Sequence, residues 1–558
     1  MSSRHRGPHI SVLTGRKQVV MQVATPISLA TALLLVATSA MADEKSPRFR
    51  APITLSKATT LVTGPLTKEG YVDYASVINQ RLSVGVTAEN NANVLLWRAF
   101  GPHPEKTTLG PEVFKLMKME TLPETGNYFL ALHAYIDKQL QLDRQDPRRE
   151  KIRKHRTQDR SWTAADYPGI ATWLEFSAKP LALVTEATSR SRYYSPLISR
   201  PTGKPDDLSG SLVSMPLPAV QNSRSFARAL TSRSMLHLGN GRHEAAWQDL
   251  LTCHRLGRLV SKGPTLIHLL VGIAIDGMAC DATLSYIDHV KPDAKQATRM
   301  ASQLAQLPAI PSLADRVDDH ERLCFLDIAQ RIAGADQPSL DMIANLGGNA
   351  GTTKNPFGKA LTSVALKTTD WDMVLKRGNA GYDQVVQTMR VKDYAARKTA
   401  VAAFERDFAK RKGQFNSPLK IFAMMATLGS SPEGRGQIVG DILLTIMLPG
   451  LVGASSVDVR ATQTNDNLQL ALALAAYHAD QGNYPEQLIA LKPRYLKDVP
   501  RDRFNGKAIS YQRTPAGYRL YSIGPNGQDE QGRSYGDERP GDDLRVQMPR
   551  QAKSNRDR

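Results

Sequence analysis

From residue 222 to 287 apolar side chains recur at helical spacing with few breaks, and this stretch constrains the fold more than any other. Gly239-Asn240-Gly241 interrupts the pattern. The spacing therefore predicts two helices, over 227–238 and 244–260, joined as an αα-hairpin with Trp247, Leu250 and Leu251 turned inward. Residues 266–280 follow, apolar nearly all round and interrupted by Asp276. They fall short of the ~20 residues that cross a bilayer, which predicts a buried helix. The hairpin resembles one tetratricopeptide-type unit. No second copy follows at that period, and an array needs about three.

Other segments extend the same character. Aromatic residues make up only 6% of the chain, while alanine and leucine abound, a balance that favours helix. Residues 43–70 lack periodicity and read as an extended lead-in. Thr87 is expected to cap a helix with Ala92, Leu95, Leu96 and Ala99 on one face. Further helices are expected over 128–142, from Trp162-Thr163 through Leu174, and over 311–333, 359–376 and 391–412. The Pro/Gly/Ser-rich stretch 200–218 reads as a linker. A second apolar run, 442–454, contains Pro449, is too short to span a bilayer and is expected to dock on the core. Near Ser455 the pattern changes. A helix runs to Asp480 and stops at Gly482-Asn483-Tyr484-Pro485. Two strand-like runs, 508–513 and 518–523, are joined by the four residues Thr514-Pro515-Ala516-Gly517, and a polar loop follows to Asp543. The expected fold is mainly α, a helical body with a small C-terminal α+β module. The expected divisions are 1–42, 43–200 (N-terminal helical), 219–454 (central helical), 455–545 (α+β) and a basic tail, 546–558.

The first 42 residues carry Arg4, Arg6, Arg16 and Lys17 and no acid, then a short apolar run, then Ala40-Met41-Ala42. Those are the three parts of a cleavable secretory signal. The mature chain is expected to begin at Asp43, with no retained transmembrane helix, in the periplasm or outside the cell. The formal charge of +19, four of it in the leader, suits either solubility or attraction to anionic envelope polymers. Export argues against nucleic acid as the partner. The basic run 147–156 reads as a solvated face or a polyanion patch, and no aromatic residue interleaves it to make a stacking platform. Cys253, Cys280 and Cys324 are too few for a disulfide scaffold and fall in apolar helical pattern. They are expected to be buried thiols, with a Cys253–Cys280 bridge as the alternative in an oxidising compartment.

The C-terminal module carries a resemblance. Tyr484-Pro485, Tyr495-Leu496, Val499-Pro500-x-Asp502, Phe504-Asn505-Gly506, Tyr518-x-Leu520-x-Ser522-x-Gly524-x-x-Gly527 and Asp542-Asp543-Leu544 follow in order. The series resembles the globular domain of type II secretion major pseudopilins. It implies a helix packed on a small antiparallel sheet and a calcium-holding loop near the end. The family's Gly-Phe-x-x-x-Glu prepilin signal and polymerising helix are missing, so assembly as a pilin is not implied. Where that family has Asp-Pro-aromatic, this chain has Asp502-Arg503-Phe504. The whole chain also resembles large uncharacterised exported proteins of planctomycete bacteria, through 74–100, 162–197 with Arg192-Tyr193-Tyr194-Ser195-Pro196, and 236–272. That resemblance implies compartment and layout and no chemistry.

Residues 524–543 hold six acids against two arginines in an otherwise basic chain, with Gly527, Gly532, Gly536 and Gly541 for flexibility. Taken alone, this reads as a solvated acidic loop; joined to the pseudopilin-like frame, it suggests a calcium loop with Asp543 as a ligand and Asp529, Asp537 and Asp542 as candidates. Other chemistry has no motif. His243-Glu244 and His320-Glu321 lack the second histidine of H-E-x-x-H. Gly453-Ala454-Ser455-Ser456-Val457 lacks the spacing of a nucleophile elbow, and no phosphate-cradling glycine loop stands between a strand and a helix. The sequence thus suggests a non-enzymatic envelope protein that binds or scaffolds an envelope protein or polymer. The alternatives are an exported hydrolase whose site is assembled from distant residues, and a binder of anionic polymers.

Overall fold

The computed structural model describes residues 51–550, apart from 105–109, 143–144, 154–156, 200–207, 209, 218–219, 336–365, 415–423 and 425–426. The expected signal segment, 1–42, lies outside the described residues. The chain is mainly helical, with one three-stranded antiparallel sheet.

The hairpin forms as its spacing requires, with helices Ser223–Gly239 and His243–Val260 and Trp247, Leu250 and Leu251 sealed inside. Gly241 makes the turn at φ +70°, the left-handed region that glycine enters without strain. The next helix, Leu266–Val290, is capped by the Thr265 side chain, which accepts from the His268 N–H. It lies against the hairpin backbone to backbone. A Cβ on Gly272 would stand 2.6 Å from the Gly257 carbonyl oxygen, and one on Gly257 2.8 Å from the Asp276 nitrogen. This close crossing places Asp276 beside His254 and Arg258 of the hairpin. Leu266–Val290 and the stretch Pro432–Gln481 are apolar and long enough to span a membrane by length and composition. The first is a core helix enclosed by both hairpin helices and by Val457–Gln481, and Pro449 breaks the second into separate helices.

Two cores result, and neither respects the expected divisions. One joins Trp97, Trp173 and Trp247 to Leu470, Leu472 and Leu474 of the C-terminal helix and to Tyr518, Leu520 and Val546 of the sheet. The other surrounds Phe325, Trp371 and Tyr382 and takes in Val72 and Tyr74 from the N-terminal end and Leu443 and Leu444 from the apolar run. The described part of the lead-in, 51–70, has no helix or strand and is not extended throughout but bends through turns at 56–62 and 67–70. Polar side chains hold this end of the chain down. Asn379 donates to the carbonyls of Ala58 and Thr59, and Gln330 bonds both the N–H and the carbonyl of Val72. The expected linker is no free tether. Its described part forms the turn Leu212–Ser214, and Leu212 and Met215 are buried in the second core.

Several boundaries differ from the sequence reading. The helix expected from Thr87 starts instead at Ala92, capped by Asn91; Thr87 and Asn90 bond each other in a turn just before it. The helix expected over 128–142 is only Leu132–Lys138. Trp162 is a buried side chain in a half-buried to exposed loop, its indole N–H donating to the Ser232 carbonyl, and the helix begins at Pro168. Residues 311–333 form one continuous run, Leu313–Arg316, a π-turn at Val317–Glu321, then Arg322–Ala333. Of the helix expected over 359–376, the first part lies outside the described residues, and Asp370 caps a longer one, Trp371–Met389.

In the C-terminal module β1 (Ser510–Thr514) pairs with β2 (Gly517–Ser522) across Pro515-Ala516, so the hairpin loop has two residues where four were expected. A third strand, β3 (Leu544–Met548), pairs with the other edge of β2. It crosses the boundary drawn between module and tail at 545, and Val546 and Met548 are core residues. The helix Val457–Gln481 packs on this sheet, with the Asn467 amide donating to the Leu544 carbonyl at 2.8 Å.

Candidate cation site in the acidic loop

The loop between β2 and β3 is pinned near its start, from within the module and from the body. At its start Asp502, itself buried, accepts from the Phe504 and Ile523 N–H groups. Gly524, Gly527 and Gly532 turn the backbone at φ +71°, +74° and +80°. From the body, the helix Tyr394–Lys412 reaches over. The Tyr394 hydroxyl donates to the Pro525 carbonyl at 3.1 Å, and the Lys398 ammonium donates to the Asn526 carbonyl.

These restraints bring oxygens of Glu530, Asp542 and Asp543 within 4.8 Å of one another. Asp543 is 2% exposed; its Oδ2 accepts from the Gly532 N–H at 2.7 Å, and its Oδ1 is buried without a partner. Asp542 Oδ2 accepts from the Asn526 N–H at 2.9 Å, and its Oδ1 is likewise buried and unpartnered. Glu530 accepts from the Asn526 side-chain amide and from the Asp542 N–H. Burial pushes the Asp543 carboxyl up to about 7; the Gly532 bond opposes the rise and the neighbouring Glu530 adds to it. Burial also raises Asp542, against the Asn526 bond. Glu530 moves the other way: burial favours its neutral form, but the bonds from Asn526 and Asp542 hold it ionised.

The structure thus gathers two of the four expected ligands, Asp542 and Asp543, and adds Glu530. Asp537 is elsewhere engaged, gripped by both Arg545 guanidinium nitrogens at 2.9 and 3.0 Å and by the Ser534 N–H at 2.8 Å. Asp529 is exposed and accepts from the Gln531 N–H within its own turn. Both are corrections to the ligand set. Glu530 belonged to the same acidic segment, but no spacing rule distinguished it from its neighbours.

Spacing also gave no hint of a second constellation. His254 Nδ1 lies 2.8 Å from Asp276 Oδ1, and its Nε2 lies 3.2 Å from the Thr283 hydroxyl. The order hydroxyl, imidazole, carboxylate is that of a nucleophile triad. Here His254 and Thr283 are fully buried, Thr283 donates to the Ala279 carbonyl, and Asp276 also accepts from Arg258 and Asn465. No substrate reaches that hydroxyl, and the network joins the hairpin, the core helix and the C-terminal helix. A cleft of about 240 Å³ is bordered by three carboxylates, Glu69, Asp73 and Asp327, and by Arg331; the two aspartates are already committed. Asp73 caps its helix through Ser76, and Asp327 accepts from Leu212 and Arg331. In the basic run, Arg148 pairs with Asp146 and Arg149 with Asp137. The three cysteines are buried, and no disulfide joins Cys253 to Cys280.

No family model matches the chain, and no curated protein and no solved structure is significantly similar to it.

Proposed function

We propose that this is an exported, non-catalytic envelope protein that binds or scaffolds an envelope partner, and that its C-terminal loop closes around calcium. The observation that carries the reading is Asp543, a buried carboxylate with one oxygen unpartnered beside Glu530 and Asp542. A buried, unpaired carboxylate oxygen is costly unless something positive meets it. Calcium suits an all-oxygen set on a loop that can supply carbonyls and water to reach six to eight ligands; magnesium demands tighter octahedral geometry. The sealed Thr283–His254–Asp276 geometry and the committed Asp73 and Asp327 of the cleft give the hydrolase reading no support. The Arg148 and Arg149 pairs weaken the anionic-polymer reading. The pseudopilin likeness rests on the residue series and on a helix packed against three antiparallel strands.

The test is thermal unfolding of the mature chain with millimolar calcium and then with excess chelator, beside Asp543→Asn. The whole chain is needed, since the module shares a core with the body. Calcium at a hundred times its dissociation constant should add about 2.7 kcal/mol. A midpoint that does not move in the unsubstituted protein overturns the reading.

A further inference from the structure

We propose that His320, Glu321 and Cys324 form a zinc site, separate from the acidic loop. Their ligand atoms lie within 4.8 Å of one another, among two buried residues and one at the edge of the core. His320 Nδ1 stands 3.5 Å from Cys324 Sγ and 3.3 Å from Glu321 Oε1. A tetrahedral zinc with bonds of about 2.3 Å to sulfur and about 2.1 Å to nitrogen and oxygen separates its ligands by about 3.6 Å (N to S) and 3.4 Å (N to O). The two observed separations are the edges of that tetrahedron. Thiolate, imidazole and carboxylate together select a borderline-soft metal and not calcium.

Local structure explains how the three meet. His320-Glu321-Arg322-Leu323-Cys324 sets a cysteine where H-E-x-x-H carries its second histidine, so one helical face presents both His320 and Cys324. Adjacent residues on an α-helix do not face one another. Here the pair falls at the end of the π-turn Val317–Glu321, and π-turns recur at functional sites. Glu321 Oε1 is steadied from the other side by the Leu266 N–H at the start of the core helix.

His320 is buried with one ring nitrogen open. Among the described residues its polar contacts are Glu321 and Cys324 alone, and its Nε2 has no partner although the residue is only 4% exposed. Cys324 is buried, and a zinc ligand is a thiolate. On binding, the zinc–sulfur bond forms and the thiol proton passes to solvent. The Glu321 carboxylate, about a fifth exposed, marks the side on which water completes the fourth position.

The experiment uses full-length protein purified under reducing conditions, stripped of metal and titrated with zinc against a chromophoric chelator, with calcium in excess to occupy the acidic loop. One equivalent of zinc should bind. Cobalt in its place should give the intense near-ultraviolet band of a thiolate–cobalt bond and the visible bands of a tetrahedral ion. Cys324→Ser should abolish the thiolate band and weaken zinc at least tenfold, and Asp543→Asn should leave both unchanged. The cobalt spectrum of the unsubstituted chain decides the matter even if a variant fails to fold. Absence of zinc uptake, or a cobalt complex without the thiolate band, overturns the proposal.

Discussion

Replacing Asp276 by alanine should be among the most damaging single changes in this chain. The carboxylate is 2% exposed and holds three partners on two other helices: His254 at 2.8 Å and Arg258 at 3.1 Å on the hairpin, and Asn465 at 2.9 Å on the C-terminal helix. Arg258, 9% exposed, would keep the Pro308 carbonyl and Asn465 Oδ1 as acceptors but lose its only counter-charge among the described residues. Removing one member of a buried ion pair typically costs about 3–5 kcal/mol, since the other charge is left uncompensated. The expected loss is therefore about 4 kcal/mol, a large part of the stability of an ordinary domain. Urea unfolding followed by far-ultraviolet circular dichroism reads it. Arg258→Met combined with Asp276→Ala should cost well under the sum of the single changes, because the pair leaves no orphaned charge. The pH dependence follows. Burial pulls the Asp276 carboxyl upward, yet the bonds and charges of His254, Arg258 and Asn465 outweigh it and hold the value below the ordinary range. A depressed folded value means that its stabilisation is present above about pH 4 and is lost as the pH falls through the folded value. Asp276→Ala should flatten that acid limb. A loss below about 1 kcal/mol, or strict additivity with Arg258→Met, would show that the network is not a linchpin.

Glycines in the core helix should respond with opposite signs. Gly272→Val meets the Gly257 carbonyl at 2.6 Å and should cost about 1–3 kcal/mol by overpacking, whereas Gly277→Ala enters open space in a helix interior and should add about 0.5–1 kcal/mol; midpoints moving in the same direction would disprove the backbone-to-backbone crossing. In calcium-free protein, the Asp543 carboxyl at about 7 lies above its unfolded value of about 3.9, so its contribution is complete below about pH 4 and lost as the pH rises through about 7. Melting midpoints in chelator should therefore fall between about pH 5 and 8 more steeply than those of Asp543→Asn, and equal slopes would refute the assignment. Calcium should oppose that fall, because it binds the ionised carboxylate; a calcium effect independent of pH would speak against Asp543 as a ligand.

Helical periodicity made the hairpin, the core helix and the C-terminal helix legible, because each buries one continuous apolar stripe or is apolar all round. It could not show that the N-terminal lead-in belongs to the second core. That segment is held by side-chain amides, Asn379 and Gln330, whose partners lie some 260 to 320 residues away in sequence. Strand β3 was hidden for a related reason. Leu544, Val546 and Met548 alternate with Arg545 and Gln547, but the run is only five residues long and follows a charged loop. The site was half legible. Charge inversion located the loop and its glycines, while the choice among its acids depended on contacts at a distance: Arg545 takes Asp537 out of the set, and Asn526 draws Glu530 in.

Asn526 also explains why the loop and the body form one unit. Its N–H is held by Asp542, its side-chain amide by Glu530 and its carbonyl by Lys398 of the helix Tyr394–Lys412. Two of those three bonds go to residues of the carboxylate cluster, and the third crosses to the body. Tyr394 reinforces the crossing, its ring meeting Phe504 edge-on at 4.8 Å while its hydroxyl bonds Pro525. A cation that fixes Glu530 and Asp542 therefore fixes Asn526 and, through it, the seat of the body helix. The coupling runs both ways by linkage: whatever holds that helix in place prearranges the cluster and tightens the ion by the same free energy. The acidic loop is thus a joint between sheet and body, and its charge acts on how the module is held.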